Sequence, residues 1–326
     1  MAPQNVSLAK GLNMGLRAAM EADPKVILMG EDVGKLGGVF RITDGLQKDF
    51  GEHRVLDSPL AESGIIGTAV GLALRGYRPV AEIQFDGFVF PAFDQIVSQV
   101  AKMNARTAGR TRMPIVIRIP YGGAIGAIEH HSESPEAYFC HTAGLKVVTC
   151  SNPNDAYWMI QQAVSSDDPV VFLEPKRRYH VKDQVNFSAR PQPMHQAHII
   201  RHGTDATLLA YGPMVKTCMD AAAVAAEEGT SLEVVDLRTL SPVDWVTITA
   251  SVRRTRRAIV VHEAPKSLGL GAEIAARLHE DLFYVMESPV KRVTGYDMPY
   301  PHSRVEDEYL PSVDRILDAV DASLAY

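Results

Sequence analysis

Four short apolar runs, at 26–29, 80–85, 115–119 and 170–173, lie among stretches with helical spacing, and this alternation most constrains what the chain can fold into. Strands that are short and apolar on both faces have to be covered on both sides, which calls for a parallel sheet between layers of helices. Ser7 is placed to cap a helix carrying Leu8, Leu12, Leu16 and Met20, and Asp23-Pro24 ends it before the first strand. Further helices are expected at 62–75, 91–108 and 153–166, with Thr43 capping another that runs toward Phe50. Between Glu174-Pro175 and His195 the pattern lapses into charged residues with Pro191 and Pro193. It then resumes on a smaller scale, with strands at 206–210, 232–237, 258–262 and 290–293 and helices at 214–227, 271–282 and 311–324. A chain of 326 residues, 46% hydrophobic, can bury two cores. The expectation is an α/β fold of two domains, 1–180 and 197–326, joined by a linker at 181–196, each domain a mostly parallel sheet covered by helices.

A formal charge of -6 offers no electrostatic footprint for nucleic acid or an anionic membrane surface. The clusters Lys176-Arg177-Arg178 and Arg253-Arg254-Thr255-Arg256-Arg257 read as solvated faces. Cys140, Cys150 and Cys218 form neither a disulfide framework nor a paired metal-ligand spacing, which suits a reducing compartment. The first ten residues lack the apolar core of a signal peptide, and no apolar run is long enough to span a bilayer, so a cytoplasmic protein is expected.

Several stretches could carry chemistry. In Asp57-Ser58-Pro59-Leu60-Ala61-Glu62-Ser63-Gly64 the acid stands among Leu60, Ala61 and Ile65, where a partly desolvated carboxylate shifts toward neutrality. The simpler reading is an acid complementing a helix dipole. Gly122-Gly123 to His130-His131-Ser132 follows a strand end, where parallel sheets bind ligands, and a histidine there can exchange protons near neutral pH. Adjacent histidines make a poor chelate, and surface exposure would account for either of them. Phe85, Phe88, Phe90 and Phe93 cluster at another strand end, as core or as a platform for a flat heterocycle. Gly269-Leu270-Gly271 opens a helix without the full dinucleotide fingerprint, so helix packing is the better reading and a nicotinamide enzyme is disfavoured.

Gly30-Glu31-Asp32-Val33-Gly34, Ser58-Pro59-Leu60-Ala61-Glu62, Glu82-Ile83-Gln84-Phe85, Pro91-Ala92-Phe93-Asp94-Gln95, His131-Ser132-Glu133-Ser134-Pro135-Glu136-Ala137 and His262-Glu263-Ala264-Pro265 together resemble the beta subunit of thiamine-diphosphate-dependent 2-oxoacid dehydrogenases. The resemblance spans nearly the whole chain, including Gly295-Tyr296-Asp297 and Pro299-Tyr300-Pro301-His302. Ser134-Pro135-Glu136-Ala137-Tyr138-Phe139 and the block from Phe85 to Gln95 look more like the branched-chain than the pyruvate enzymes, with pyruvate dehydrogenase as the alternative. The resemblance implies a transketolase-like pyrimidine-binding domain followed by a transketolase C-terminal domain. It implies that Glu62 engages the aminopyrimidine ring of thiamine diphosphate, that Phe88 stacks on it, and that Leu60 and Gln84 neighbour it. It assigns His131 proton transfer while the acyl group passes to a lipoyl arm on a separate acyltransferase core. No Gly-Asp-Gly stretch is present, so magnesium is expected mainly on an alpha subunit, in an assembly of two alpha and two beta chains active only together. A structural potassium ion is implied on carbonyls at Ile115, Ala163, Val164, Ser166 and Asp168. A non-catalytic assembly subunit is the competing reading.

Overall fold

The computed structural model describes residues 2–189 and 191–326. Met1, at the head of the expected first domain, and Arg190, inside the expected linker, lie outside the described residues. The chain divides into two compact units, the first formed by Met1–Tyr121 and Tyr138–Met194, the second by Gly122–Ala137 and His195–Tyr326.

In the first unit six strands run in the order Val55–Asp57, Val26–Gly30, Arg78–Glu82, Val116–Tyr121, Val170–Pro175, Lys146–Thr149, every neighbouring pair parallel. Their interiors are apolar because both faces are covered, as the unbroken burial of Val26–Gly30 and Val170–Pro175 shows. Ser7 caps the helix Leu8–Ala22, accepting from the Lys10 amide at 3.2 Å, and Leu8, Leu12, Leu16 and Met20 are buried as their spacing requires.

Three expectations need correction. Strand Arg78–Glu82 stops before Phe85, which starts a tight turn. The helix expected at 91–108 is broken into a 3₁₀ segment, Asp86–Ala92, a π-helical turn, Gln95–Val100, and a short helix, Met103–Arg106. Pro91 supplies no amide to a regular helix, and the Ala101 amide reaches back to the Ile96 carbonyl at 2.9 Å, one residue further than an α-turn. Thr43 caps nothing: fully buried, its hydroxyl donates to the Val33 carbonyl at 2.7 Å, and Gly45 precedes the helix Leu46–Phe50. The expected linker begins as a strand, Lys182–Val185, paired antiparallel with Gln4–Ser7.

The second unit is a five-stranded sheet in the order Lys291–Gly295, Ala258–Pro265, Ala206–Ala210, Leu232–Asp236, His198–Arg201, parallel except for the last strand. Helix Trp245–Thr255 was not foreseen, although Asp244 is an N-cap that accepts from the Thr247 amide at 3.2 Å. Residues 122–137, within the expected first domain of 1–180, cluster by contacts with the second unit, whose side chains bind amides of that segment, as described below.

Candidate active site

Three adjacent parallel strands of the first unit, Val55–Asp57, Val26–Gly30 and Arg78–Glu82, deliver their following loops to one edge of the sheet, the edge where such sheets bind ligands. The Ser58 amide donates to the Gly30 carbonyl at 2.8 Å, and Glu62 opens the helix Glu62–Leu74. Glu62 is 9% exposed and makes no hydrogen bond or ion pair with any described residue. Its position in the first helical turn favours negative charge. Glu31 is close enough that its carboxyl is raised above the usual range, first by burial, then by Asp32, then by Glu62. Gln84 reaches the same group, with Nε2 at 3.4 Å from Asp32 Oδ2. The niche is more open on one side than its sequence suggests, since Leu60 is 70% exposed while Ile65 and Ile66 are buried. Sequence reasoning did not single out Glu31 and Asp32 as members of an acidic cluster. The signal was their place in the loop directly after the central strand.

Phe88 stands edge-on to Phe85 with centroids 5.7 Å apart, and Phe85 to Phe40 at 5.3 Å. Phe90 and Phe93 belong to a separate group around Tyr138, at 6.0 and 5.9 Å. The four aromatics expected to act together are therefore split into two pairs. Beneath them the Lys176 ammonium lies 5.7 Å from the Phe85 centroid and pairs with buried Asp86. Arg118, fully buried, binds Glu82 and grips Glu174 with Nε and Nη2 at 2.6 and 2.9 Å, while the Tyr179 hydroxyl donates to Glu174 at 2.7 Å. Burial drives the Glu82 carboxyl upward and Arg118 pulls it back only in part, as expected where one guanidinium serves two buried acids. These buried ions make a stiff floor under the strand ends.

In the second unit, His131 lies half-buried in the turn Glu129–His131, its ring edge-on to exposed His130 at 4.4 Å. The turn that follows brings in Glu136, fully buried, which accepts from the Tyr211 hydroxyl at 2.5 Å and leaves Oε2 without a partner. Burial pushes its carboxyl up to about 7, the Tyr211 hydrogen bond opposing and Glu263 adding to the rise. A carboxyl raised in the fold holds its proton more tightly there, so its stabilising contribution is complete below pH 4.5 and is lost as pH rises to about 7. The loss is about 3 kcal/mol at full ionisation. Glu136→Gln, neutral at every pH, is expected to raise the thermal midpoint at pH 8 and change it little at pH 5, read by calorimetry at both. His262 runs the other way: burial lowers it to about 4, so its contribution is lost as pH falls below 6.5. Its neutral ring is fixed by Nδ1 at 3.1 Å from the Ala264 carbonyl and by the Gly271 amide donating to Nε2 at 3.2 Å. A Cβ at Gly271 would lie 2.7 Å from that nitrogen, so Gly269-Leu270-Gly271 is a packing feature.

Four of the five carbonyls suggested for potassium accept a hydrogen bond from the chain. Ile115 and Ala163 accept from the amides of Val170 and Ser166, and Val164 and Ser166 accept from Arg78 Nη1 at 3.2 and 2.9 Å. The Asp168 side chain pairs with Lys146 at 2.9 Å. The Arg78 guanidinium spans this turn. Among the described residues no group of three or more His, Cys, Asp or Glu is placed to hold a metal ion.

The fold and this site define a pair of transketolase-type domains. Residues 4–182 match the transketolase pyrimidine binding domain and residues 195–316 the transketolase C-terminal domain. The chain is 58% identical to a pyruvate dehydrogenase E1 component subunit beta from Leifsonia xyli subsp. xyli, over 99% of this chain and 96% of that one. It is 52% identical to a 3-methyl-2-oxobutanoate dehydrogenase subunit beta from Mycobacterium tuberculosis, over 98% and 92% of the two chains. A 2-oxoisovalerate dehydrogenase subunit beta from Pseudomonas aeruginosa is 42% identical over 96% and 93%. A solved split gene transketolase, an inactive beta4 tetramer, superposes over 99% of both chains with a TM-score of 0.82 at 20% identity, a likeness of fold. The chain belongs to the family of 2-oxoacid dehydrogenase E1 beta subunits, thiamine-diphosphate-dependent oxidoreductases.

Proposed function

We propose that this chain is the beta subunit of a 2-oxoacid dehydrogenase that decarboxylates pyruvate, together with an alpha subunit, and passes the acyl group to a lipoyl arm. The observation that carries the catalytic part is Glu62, a nearly buried carboxyl at a helix start with no hydrogen-bond partner among the described residues. The carboxyl is therefore left to meet a ligand, and a ring nitrogen of the aminopyrimidine is a partner of the right chemistry. Bound thiamine diphosphate supplies the carbon nucleophile and electron sink that no protein side chain offers. Glu62 is the carboxyl that would share a hydrogen bond with the ring nitrogen, and Glu31, raised first by burial, then by Asp32 and then by Glu62, stands beside it. Phe88 and Leu60 would border the ring, with Gln84 beside them at 3.4 Å from Asp32.

The alpha subunit follows from what is left uncovered and undone. Leu60 is exposed beside Glu62, Gly64 and Gly71 are exposed on the same helix, and a Cβ at Gly71 would meet nothing. A closely packed partner is a reason for those small residues, and magnesium with the diphosphate is assigned to that partner. His131 is the proton donor when the lipoyl disulfide opens. His131→Ala in the assembled enzyme is expected to cut transfer to a lipoyl domain about a hundredfold while decarboxylation measured with an artificial electron acceptor keeps most of its rate.

The sequence motifs around Phe85 and Ser134 favour a branched-chain substrate, but the higher identity to the pyruvate-named relative, 58% against 52%, supports pyruvate. Coexpression with the alpha subunit and comparison of kcat/KM for pyruvate and 3-methyl-2-oxobutanoate tests this. A larger value for pyruvate is expected, and a larger value for the branched acid would restore the other reading.

A further inference from the structure

The loop that carries His131 does not hold its own shape. Its neck is closed by the Gly122 amide donating to the Glu133 carbonyl at 2.9 Å, and its far end by short turns at Ile128 and Glu129. Three amides between, those of Gly123, Ala124 and Gly126, are bound by side chains from elsewhere in the second unit. Glu263, near the end of strand Ala258–Pro265, accepts from Gly123 at 3.1 Å. The Tyr300 hydroxyl accepts from Ala124 at 3.0 Å and donates to Glu306 Oε2 at 2.9 Å, and Glu306 Oε1 accepts from Gly126 at 3.2 Å.

The backbone is shaped to admit this grip. A Cβ at Gly123 would lie 2.1 Å from the Tyr300 oxygen, and one at Gly122, where φ is +85°, 2.8 Å from Glu263 Oε2. Ala124 has φ +60°, a left-handed conformation that costs a non-glycine residue about 1 kcal/mol or more. Such a residue keeps that conformation only where its surroundings enforce it, and the amide of Ala124 is the one bound by Tyr300. The pair Gly122-Gly123, which looks from sequence like a ligand cradle, is instead the slot for two side chains.

We propose that Tyr300, Glu306 and Glu263 are positioning residues for acyl transfer, holding the loop in the one shape that presents His131. The proposal rests on the His131 role given above. It gives the motifs His262-Glu263-Ala264-Pro265 and Pro299-Tyr300-Pro301-His302 a task within the reaction, carried out through the loop. Glu306 and Tyr300 act as one unit, because the phenol that accepts from the loop is oriented by the carboxylate it donates to.

The test uses the chain coexpressed with its alpha subunit. Tyr300→Phe keeps the ring and removes both hydrogen bonds, and Glu306→Gln alters the second member alone. Hydrogen exchange of the peptide covering residues 122–133 is expected to speed up about tenfold in Tyr300→Phe, with the thermal midpoint close to that of the parent. Transfer to a lipoyl domain is expected to fall about tenfold, decarboxylation with an artificial acceptor to stay unchanged, and Glu306→Gln to give the same split more weakly. Unchanged loop exchange in both variants would overturn the proposal. Equal loss of both half-reactions would also overturn it, by showing a general structural role. His131→Ala is run alongside: if it spares transfer while Tyr300→Phe still frees the loop, the His131 assignment fails and the loop's task in acyl transfer fails with it.

Discussion

Glu62→Ala is expected to remove decarboxylation from the assembled enzyme, lowering kcat by about a thousandfold or more while leaving the melting temperature nearly unchanged. The separation of the two effects follows from the site. Glu62 makes no hydrogen bond or ion pair with any described residue, so truncation breaks nothing inside the chain. It removes a carboxyl from the first turn of a helix, worth about 0.3–1 kcal/mol at most. What is lost is the partner for the aminopyrimidine. Glu62→Gln retains a hydrogen-bonding group but cannot give up a proton, and should recover cofactor binding better than rate. The comparison needs kcat with an artificial electron acceptor and thiamine diphosphate affinity by calorimetry on all three proteins. Full activity of the alanine variant would leave the assembly-subunit reading standing.

The second large effect is on stability. Arg118→Met is expected to destabilise the first unit by about 3–5 kcal/mol, because the deletion leaves Glu82 and Glu174 buried together without a counter-charge. Glu174 would keep only the Tyr179 hydroxyl at 2.7 Å. At about 2–4 °C per kcal/mol for a unit of this size, the melting temperature should drop by roughly 10 °C. Part of the loss should return at low pH, where Glu82, already raised by burial, takes up a proton. A variant that melts like the parent at neutral pH would mean that the three ions are individually satisfied and that the floor under the site does not depend on the arginine.

The layered α/β plan was legible because it is written in local patterns. Ser7 with Leu8, Leu12, Leu16 and Met20 states both a cap and a buried stripe, and a sheet covered on both faces must show apolar runs such as 26–29 and 170–173. Failures came where a distant residue decides a local outcome. Thr43 is as good a cap as Ser7 by type, yet the Val33 carbonyl claims its hydroxyl. The helix expected at 91–108 breaks because Pro91 and the wide turn at Ala101 override its periodicity. The site follows the same division. Glu62 stood out as an acid among apolar neighbours, whereas its influence on Glu31 depends on two strands lying side by side. Gly122-Gly123 was noticed, but its reason, the arrival of Tyr300 and Glu263, comes from residues far along the chain.

The most direct test of the account is a crystal structure of this chain assembled with its alpha subunit and thiamine diphosphate. The expected result places a Glu62 carboxyl oxygen within hydrogen-bond reach, about 2.6–3.2 Å, of a pyrimidine ring nitrogen, with Phe88 against the ring face. A Glu62 carboxyl turned away from the pyrimidine, with another group at that nitrogen, would contradict it.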